Sequence, residues 1–264
     1  MKIILILLVF GILIISGCTA PNPPIKTENH QMDHMAMEAH GGDRESVGIH
    51  MYRVYFERPA PDGGQTKLKF RVTELYSEKA VDLEVVHEKI MHVVFVRDDL
   101  KYFGHIHPEP AGNGFLEAPY RFLAPGKYRV WADFTVDGMQ HLVDFDFEIN
   151  GVEQAEEDSL KGIKVSMETA EDIQMGKEYQ LKFMVLDTEN KPVKITEKFL
   201  AANAHLIDID QSLEEFSHNH DENFDGDNVI SFSHKFKKAG NHRLWVQFSA
   251  GGQERTAPFE VGVK

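Results

Sequence analysis

Cysteine is nearly missing from this sequence: Cys18 is the only one in 264 residues. No disulfide can form within the chain, and thiol redox chemistry in its body is excluded. A metal site here must draw on His, Met, Asp or Glu. Positive charge is also short, with 28 Lys and Arg against 42 Asp and Glu and a formal net charge of −14. That balance argues against nucleic acid and anionic lipid surfaces as partners and is compatible with cation binding. The chain has no G-x-S-x-G, no phosphate-cradling glycine loop and no cysteine nucleophile. Asp208 and Asp210 share a strand face, but no second acid or activated nucleophile accompanies them. The expectation is a protein that is not an enzyme. Helical periodicity of convincing length is missing too.

What is present is a histidine pattern that occurs twice. Met91-His92 is followed by His105-Ile106-His107, and Ala204-His205 by His218-Asn219-His220. The three histidines recur at a single offset of 113 residues, together with Leu100/Leu213 and Phe103/Phe216. A fold needs apolar residues to repeat and rarely needs three imidazoles to do so, whereas neutral His is a ready metal ligand. Other segments repeat in the same order. Leu181-Lys182-Phe183 matches Leu68-Lys69-Phe70, and Gly240 to Trp245 matches Gly126 to Trp131. The chain therefore reads as a duplicated module.

Both modules read as β. Tyr52-Arg53-Val54-Tyr55-Phe56 alternates, Ile90 to Val96 is a continuous apolar run, and Asp137-Gly138 marks a hairpin. About seven short strands per 100 residues suggest an immunoglobulin-like sandwich, with Tyr128 placed as its tyrosine corner. The expected class is all-β: two tandem immunoglobulin-like β-sandwich domains after a disordered N-terminal tether. The expected boundaries are 1–17 signal peptide, 18–47 tether, 48–150 first domain, 151–162 linker and 163–264 second domain.

The amino-terminal end has its own chemistry. Lys2 and the apolar run Ile3 to Ile15 form a secretion signal too short for a comfortable membrane span. Ile15-Ser16-Gly17-Cys18 resembles a bacterial lipobox, which makes Cys18 the expected lipid attachment point and places the protein on the extracytoplasmic face of the cell membrane. In the tether, His30, Met32, His34, Met35, Met37 and His40 fall within eleven residues. Thioether with imidazole favours soft ions such as Cu(I).

Within the modules, His105 and His107 are two apart on an extended strand and point to one side, about 7 Å apart. His92, on the preceding strand, can supply a third nitrogen. The triads His92, His105, His107 and His205, His218, His220 suit Cu(II) or Zn(II). Glu109 and Glu222 are candidate fourth ligands. His141, whose counterpart is Arg255, can assist one site only. His50, His87 and His234 are isolated and expected in ordinary surface or satisfied core roles. The alternative to a metal site is that these histidines belong to the fold and the modules are metal-independent interaction or accessory units.

The segments Ile90 to Val96, Asp99 to Glu109 and Pro125 to Phe134 resemble secreted bacterial proteins with YtkA-like, immunoglobulin-like domains. The resemblance spans most of residues 50 to 264 and implies copper or heavy-metal handling. The tether resembles the Met/His-rich stretches of copper-resistance proteins. The second copy departs from the pattern, with Asp221 in place of Pro108 and His242 in place of the corner Tyr128. Together these imply a lipid-anchored copper-binding protein, with zinc as the other ion, that buffers, sequesters or delivers metal. Its expected partners are the membrane and a copper transporter or another envelope metalloprotein, with no nucleic acid.

Overall fold

A computed structural model describes residues 45–47, 52–59, 65–151, 153–154, 158–168, 172–195, 197–221 and 227–264. Cys18, the His/Met stretch from His30 to His40, His50 and Glu222 lie outside the described residues. So do the signal segment and the greater part of the tether.

Among the described residues the structure is all strand and turn. The first half carries β1 (Glu45–Val47), β2 (Tyr52–Glu57), β3 (Gln65–Glu74), β4 (His92–Arg97), β5 (Phe103–Ile106), β6 (Glu109–Gly112), β7 (Phe115–Arg121), β8 (Gly126–Val136) and β9 (Met139–Ile149). The second carries β10 (Ile163–Glu168), β11 (Glu178–Asp187), β12 (Ala204–Asp210), β13 (Phe216–Asp221), β14 (Val229–Lys235), β15 (Gly240–Ala250) and β16 (Gln253–Val263). Two sheets form each half: β1-β2-β3-β7-β6 with β5-β4-β8-β9, then β10-β11-β14 with β13-β12-β15-β16. Each pair packs as a sandwich around its own core, so the architecture is two tandem immunoglobulin-like domains. The Tyr128 hydroxyl donates to the Ala124 carbonyl at 2.9 Å, which is the tyrosine corner.

Strand alternation explains the continuous apolar run before Arg97. Val93 and Phe95 point into the first domain's core, whereas Val94 and Val96 point out of it. The outward face is not solvated. Val94, Val96 and Trp131 form a third core with Ile207, Ile209, Phe216 and Trp245 of the second domain. The central sheets of the two sandwiches therefore face each other, and β4 and β12 are buried on both sides. Phe103 stacks on Trp245 with centroids 4.7 Å apart, and Phe216 stacks on Trp131 at 5.2 Å. These reciprocal stacks give the recurrence of Phe103/Phe216 its cause: both rings lock the interface. Leu100 and Leu213 pack against the same cluster.

Backbone detail repeats as well. His87 and Glu88 have φ of 48° and 67°, and Leu200 and Ala201 have 50° and 61°. Each pair is the centre of a tight turn closed by an isolated bridge, Val86 to Lys89 and Phe199 to Ala202. Two successive non-glycine residues in the left-handed region cost roughly 1–2 kcal/mol each, so packing around the turn must hold it. What the turn delivers is a carbonyl, described next.

Candidate metal centre

The period-2 alternation that points Val94 and Val96 at the partner domain also points His92 there. The same holds for His105 beside Phe103, and for His205 and His218 in the second domain. The two triads therefore meet across the interface. Ring centroids lie 5.0 Å apart for His105 and His218, 5.1 Å for His92 and His218, and 5.9 Å for His105 and His205. His107 and His220 flank this group, each within 5 Å of imidazoles of its own domain.

Hydrogen bonds fix which nitrogens are bare. His92 Nε2 lies 3.1 Å from the Val86 carbonyl, and His205 Nε2 lies 3.0 Å from that of Phe199. A carbonyl only accepts, so each Nε2 carries the proton and each Nδ1 keeps its lone pair. This is the work of the strained turns: they present the carbonyls that orient the first histidine of each triad. His105 Nδ1 lies 2.7 Å from Gln247 Oε1, while the amide nitrogen of Gln247 donates to Thr256 Oγ1 at 3.3 Å. His105 Nδ1 is thus the donor and Nε2 is bare. At the matching place, His218 Nδ1 faces Asp133 Oδ2 at 3.8 Å, beyond a direct hydrogen bond. Asp133 pairs with His92 in the β4–β8 ladder, and Gln247 pairs with His205 in the β12–β15 ladder. Each domain thereby supports the middle histidine of the other.

The bare nitrogens of His92, His105 and His205 converge with Nε2 of His218. His92 Nδ1 and His105 Nε2 are 3.4 Å apart, and His205 Nδ1 and His218 Nε2 are 2.9 Å apart. Metal–nitrogen bonds of about 2.05 Å place neighbouring ligand nitrogens roughly 2.9 Å apart in a square plane and about 3.3 Å apart in a tetrahedron. Both spacings fit an ion between the rings. His107 Nε2 and His220 Nε2 are buried and have no hydrogen-bond partner among the described residues. Buried polar atoms are nearly always satisfied, and an imidazole nitrogen that carries no proton can satisfy itself on a metal ion.

Electrostatics keep the cluster neutral. Burial is the largest cause in every case, and the neighbouring imidazoles add to it. His205 is lowered to about 4, His107 to about 3 and His220 to about 2. His92 is lowered, and His105 and His218 lie well below the ordinary value. Neutral imidazole is the ligating form. Burial raises Asp133 to about 6, partly offset by its bonds from Gln140 Nε2 at 2.9 Å. A cavity of about 250 Å³ reaches His92, His218 and His220 from outside, with Glu84, Asp133 and Gln140 on its walls.

All six module histidines expected as ligands thus come together. Glu109 does not join them: it is exposed and bonded to Lys89 Nζ at 2.7 Å. His141 lies against Tyr52 and Phe134, away from the cluster. His234 is a satisfied core residue, bonded to Asp208. His87, expected to be isolated, stacks on His220 at 3.6 Å across the interface. Asp133 and Gln247 were overlooked. Their signal was available, since each stands two residues after a repeated Trp.

Fold and site define a class: two duplicated β-sandwiches with a six-histidine cluster at their junction. The chain belongs to the family described as Domain of unknown function (DUF8832), whose model matches twice, over residues 46–151 and 158–264. No curated protein is similar in sequence. Among solved structures, a point mutant of Salmonella alpha-2-macroglobulin is 12% identical over 83% of this chain and 15% of its own, with a TM-score of 0.30. Trypsin-activated alpha-2-macroglobulin from Escherichia coli is 12% identical over 81% of this chain and 15% of its own, at 0.29. A DUF4785 family protein from Legionella pneumophila is 8% identical over 80% of this chain and 55% of its own, at 0.27. This chain thus spans a small part of the macroglobulins it matches.

Proposed function

We propose that this is a lipid-anchored, extracytoplasmic metal-binding protein that buffers, sequesters or delivers copper, with zinc as the competing ion. The observation that carries the reading is the set of buried, neutral imidazole nitrogens converging at the domain junction, two of them without a partner among the described residues. A core with no ion to hold gains nothing from lone pairs aimed at one another, and leaving them unpaired costs roughly 1–3 kcal/mol per group. The all-nitrogen donor set suits Cu(II) and Zn(II) and disfavours Mg and Ca, which take oxygen. His30, Met32, His34, Met35, Met37 and His40 would collect Cu(I). Lipid on Cys18 would hold the protein beside a membrane transporter or another envelope metalloprotein at high effective concentration.

The test is metal content of the protein isolated from its own envelope, followed by titration with Cu(II), Zn(II) and, under reductant, Cu(I). Submicromolar binding that survives replacement of the six His and Met residues of the tether supports the reading. Loss of all binding with those six leaves the modules as an interaction unit. Mass spectrometry of the mature amino terminus checks the lipid on Cys18.

A further inference from the structure

Each domain carries its own triad, so the simplest expectation is one ion per domain. The geometry points elsewhere. Among the described residues, two triads have nitrogens all within 4.8 Å of one another: His92–His105–His107, and His105–His205–His218. The second crosses the interface. Both use His105, which has a single nitrogen to give, because its Nδ1 is committed to Gln247. One nitrogen cannot bind two separate ions.

We infer that the two domains share one transition-metal ion, held across their interface by His105, His205 and His218. This rests on the metal reading of the cluster. His205 Nδ1 and His218 Nε2 are the closest pair of ring nitrogens, at 2.9 Å. His205 cannot donate from Nδ1, since its proton lies toward Phe199 on the other nitrogen. Without an ion His218 Nε2 can donate to that lone pair; with the His218 proton on Nδ1, toward Asp133, both nitrogens offer lone pairs and a cation between them is coordinated by the two. His105 closes the triad from the other domain. His92 stands beside this triad, its ring 5.1 Å from His218 and 5.6 Å from His105. His107 and His220 remain at the edge, where their free nitrogens can pass an ion between the centre and the outside. The supporting residues agree with this assignment. Gln247 steadies His105 from the second domain and Asp133 faces His218 from the first, so neither middle ligand is held by its own domain alone. The same arrangement makes the ion a staple between sandwiches already joined by Trp131 and Trp245.

The experiment uses the full chain with the tether residues His30, His34 and His40 replaced by Ala and Met32, Met35 and Met37 by Leu. Zn(II) and Cu(II) are titrated against a competing chromophoric chelator. One tight equivalent per chain is expected. His105→Ala in one domain and His205→Ala or His218→Ala in the other should each remove that same equivalent, weakening binding at least 100-fold. Gln247→Leu alters no ligand and guards against misfolding of the histidine variants. It should weaken the ion about 10- to 100-fold, the usual effect of losing a residue that orients a ligand. Two tight equivalents, with His205→Ala removing one and leaving the other intact, would overturn the shared ion while keeping the metal function. Absence of tight binding to the unsubstituted modules would remove both.

Discussion

The two domains are built alike and filled differently. In the first, the core beneath the tyrosine corner is aromatic: Phe95 lies 4.6 Å from Tyr120 and 5.2 Å from Phe122, with Tyr128 beside them. At the same ladder positions the second domain places Asp208, His234, Phe236 and His242. There Asp208 Oδ1 is 2.8 Å from His242 Nδ1, and Oδ2 is 2.9 Å from His234 Nε2. His242 Nε2 donates to the Lys238 carbonyl at 2.9 Å, four residues back, so it fills the role of the corner tyrosine. One fold thus accepts either an apolar core or a closed ionic one at this place. The contrast also separates two kinds of buried histidine. Around Asp208 the rings find oxygen partners in the protein, whereas at the junction ring nitrogens face one another.

The largest effects come from opening what is closed. Asp208→Ala strands two buried imidazoles and should cost about 3–5 kcal/mol in urea denaturation. Copying the first domain's filling into the second sharpens the comparison. The variant Asp208→Phe, Ser217→Gly, His234→Tyr, His242→Tyr should recover that loss, since apolar replacement of a buried ionic set is often neutral or stabilising by about 1–4 kcal/mol. If this fourfold variant is as unstable as Asp208→Ala, the two cores are not interchangeable. Trp245→Ala should cost about 3–5 kcal/mol and also loosen the junction, because it removes the ring under Phe103.

Next in size is a single methyl group. Gly104 pairs with Phe95, and a Cβ there would fall 2.1 Å from the Phe95 ring. Its counterpart Ser217 pairs with the smaller Asp208 and already carries a Cβ. Gly104→Ala should therefore destabilise by about 1–3 kcal/mol as an overpacked core. Ser217→Ala should change thermal stability by less than about 0.5 kcal/mol. Equal effects at the two sites would mean that Phe95 does not set the need for glycine.

Much of this was legible in the sequence, and the reasons are local. The repeat offset exposed the duplication, alternation gave the strands, and Pro125-Gly126 before Tyr128 marked the corner. The six module histidines were readable because imidazoles seldom repeat without cause. What could not be read was that the two triads meet. A strand buried on both sides looks the same whether its outer face covers a second sheet or a second domain, so Val94 and Val96 gave no direction. Asp133 and Gln247 were hidden for the same reason, since each serves a histidine more than 80 residues away in the other domain. The Asp208 cluster was hidden because its three members are scattered along β12, β14 and β15 and lack counterparts in the first copy.

The smallest effect tests the two corners against pH. Tyr128→Phe loses one hydrogen bond and should cost about 1 kcal/mol, equally at acid and mildly alkaline pH. His242 behaves differently. Burial acts to lower its pKa, but the bond and charge of Asp208 and the Lys238 carbonyl outweigh burial and raise it above the ordinary 6.5. A histidine bound more tightly to its proton in the folded state stabilises fully below 6.5, and that contribution is lost as the pH rises through the folded value. Asp208 has the opposite sign: despite burial, its bonds from His234 and His242 lower it below 3.8, so its contribution persists above that pH and is lost only in acid. The junction histidines, lowered in the folded state, carry the opposite sign and strengthen the protein as the pH rises past 6.5, so the corner is read as a difference between proteins that share the junction. Between about pH 6 and pH 9, denaturant curves should show the fourfold variant gaining more stability than the unsubstituted protein, because it lacks the alkaline loss of the His242–Asp208 pair. An unchanged slope in that variant would place the alkaline sensitivity outside the His242–Asp208 pair and leave the two corners equivalent in their response to protons.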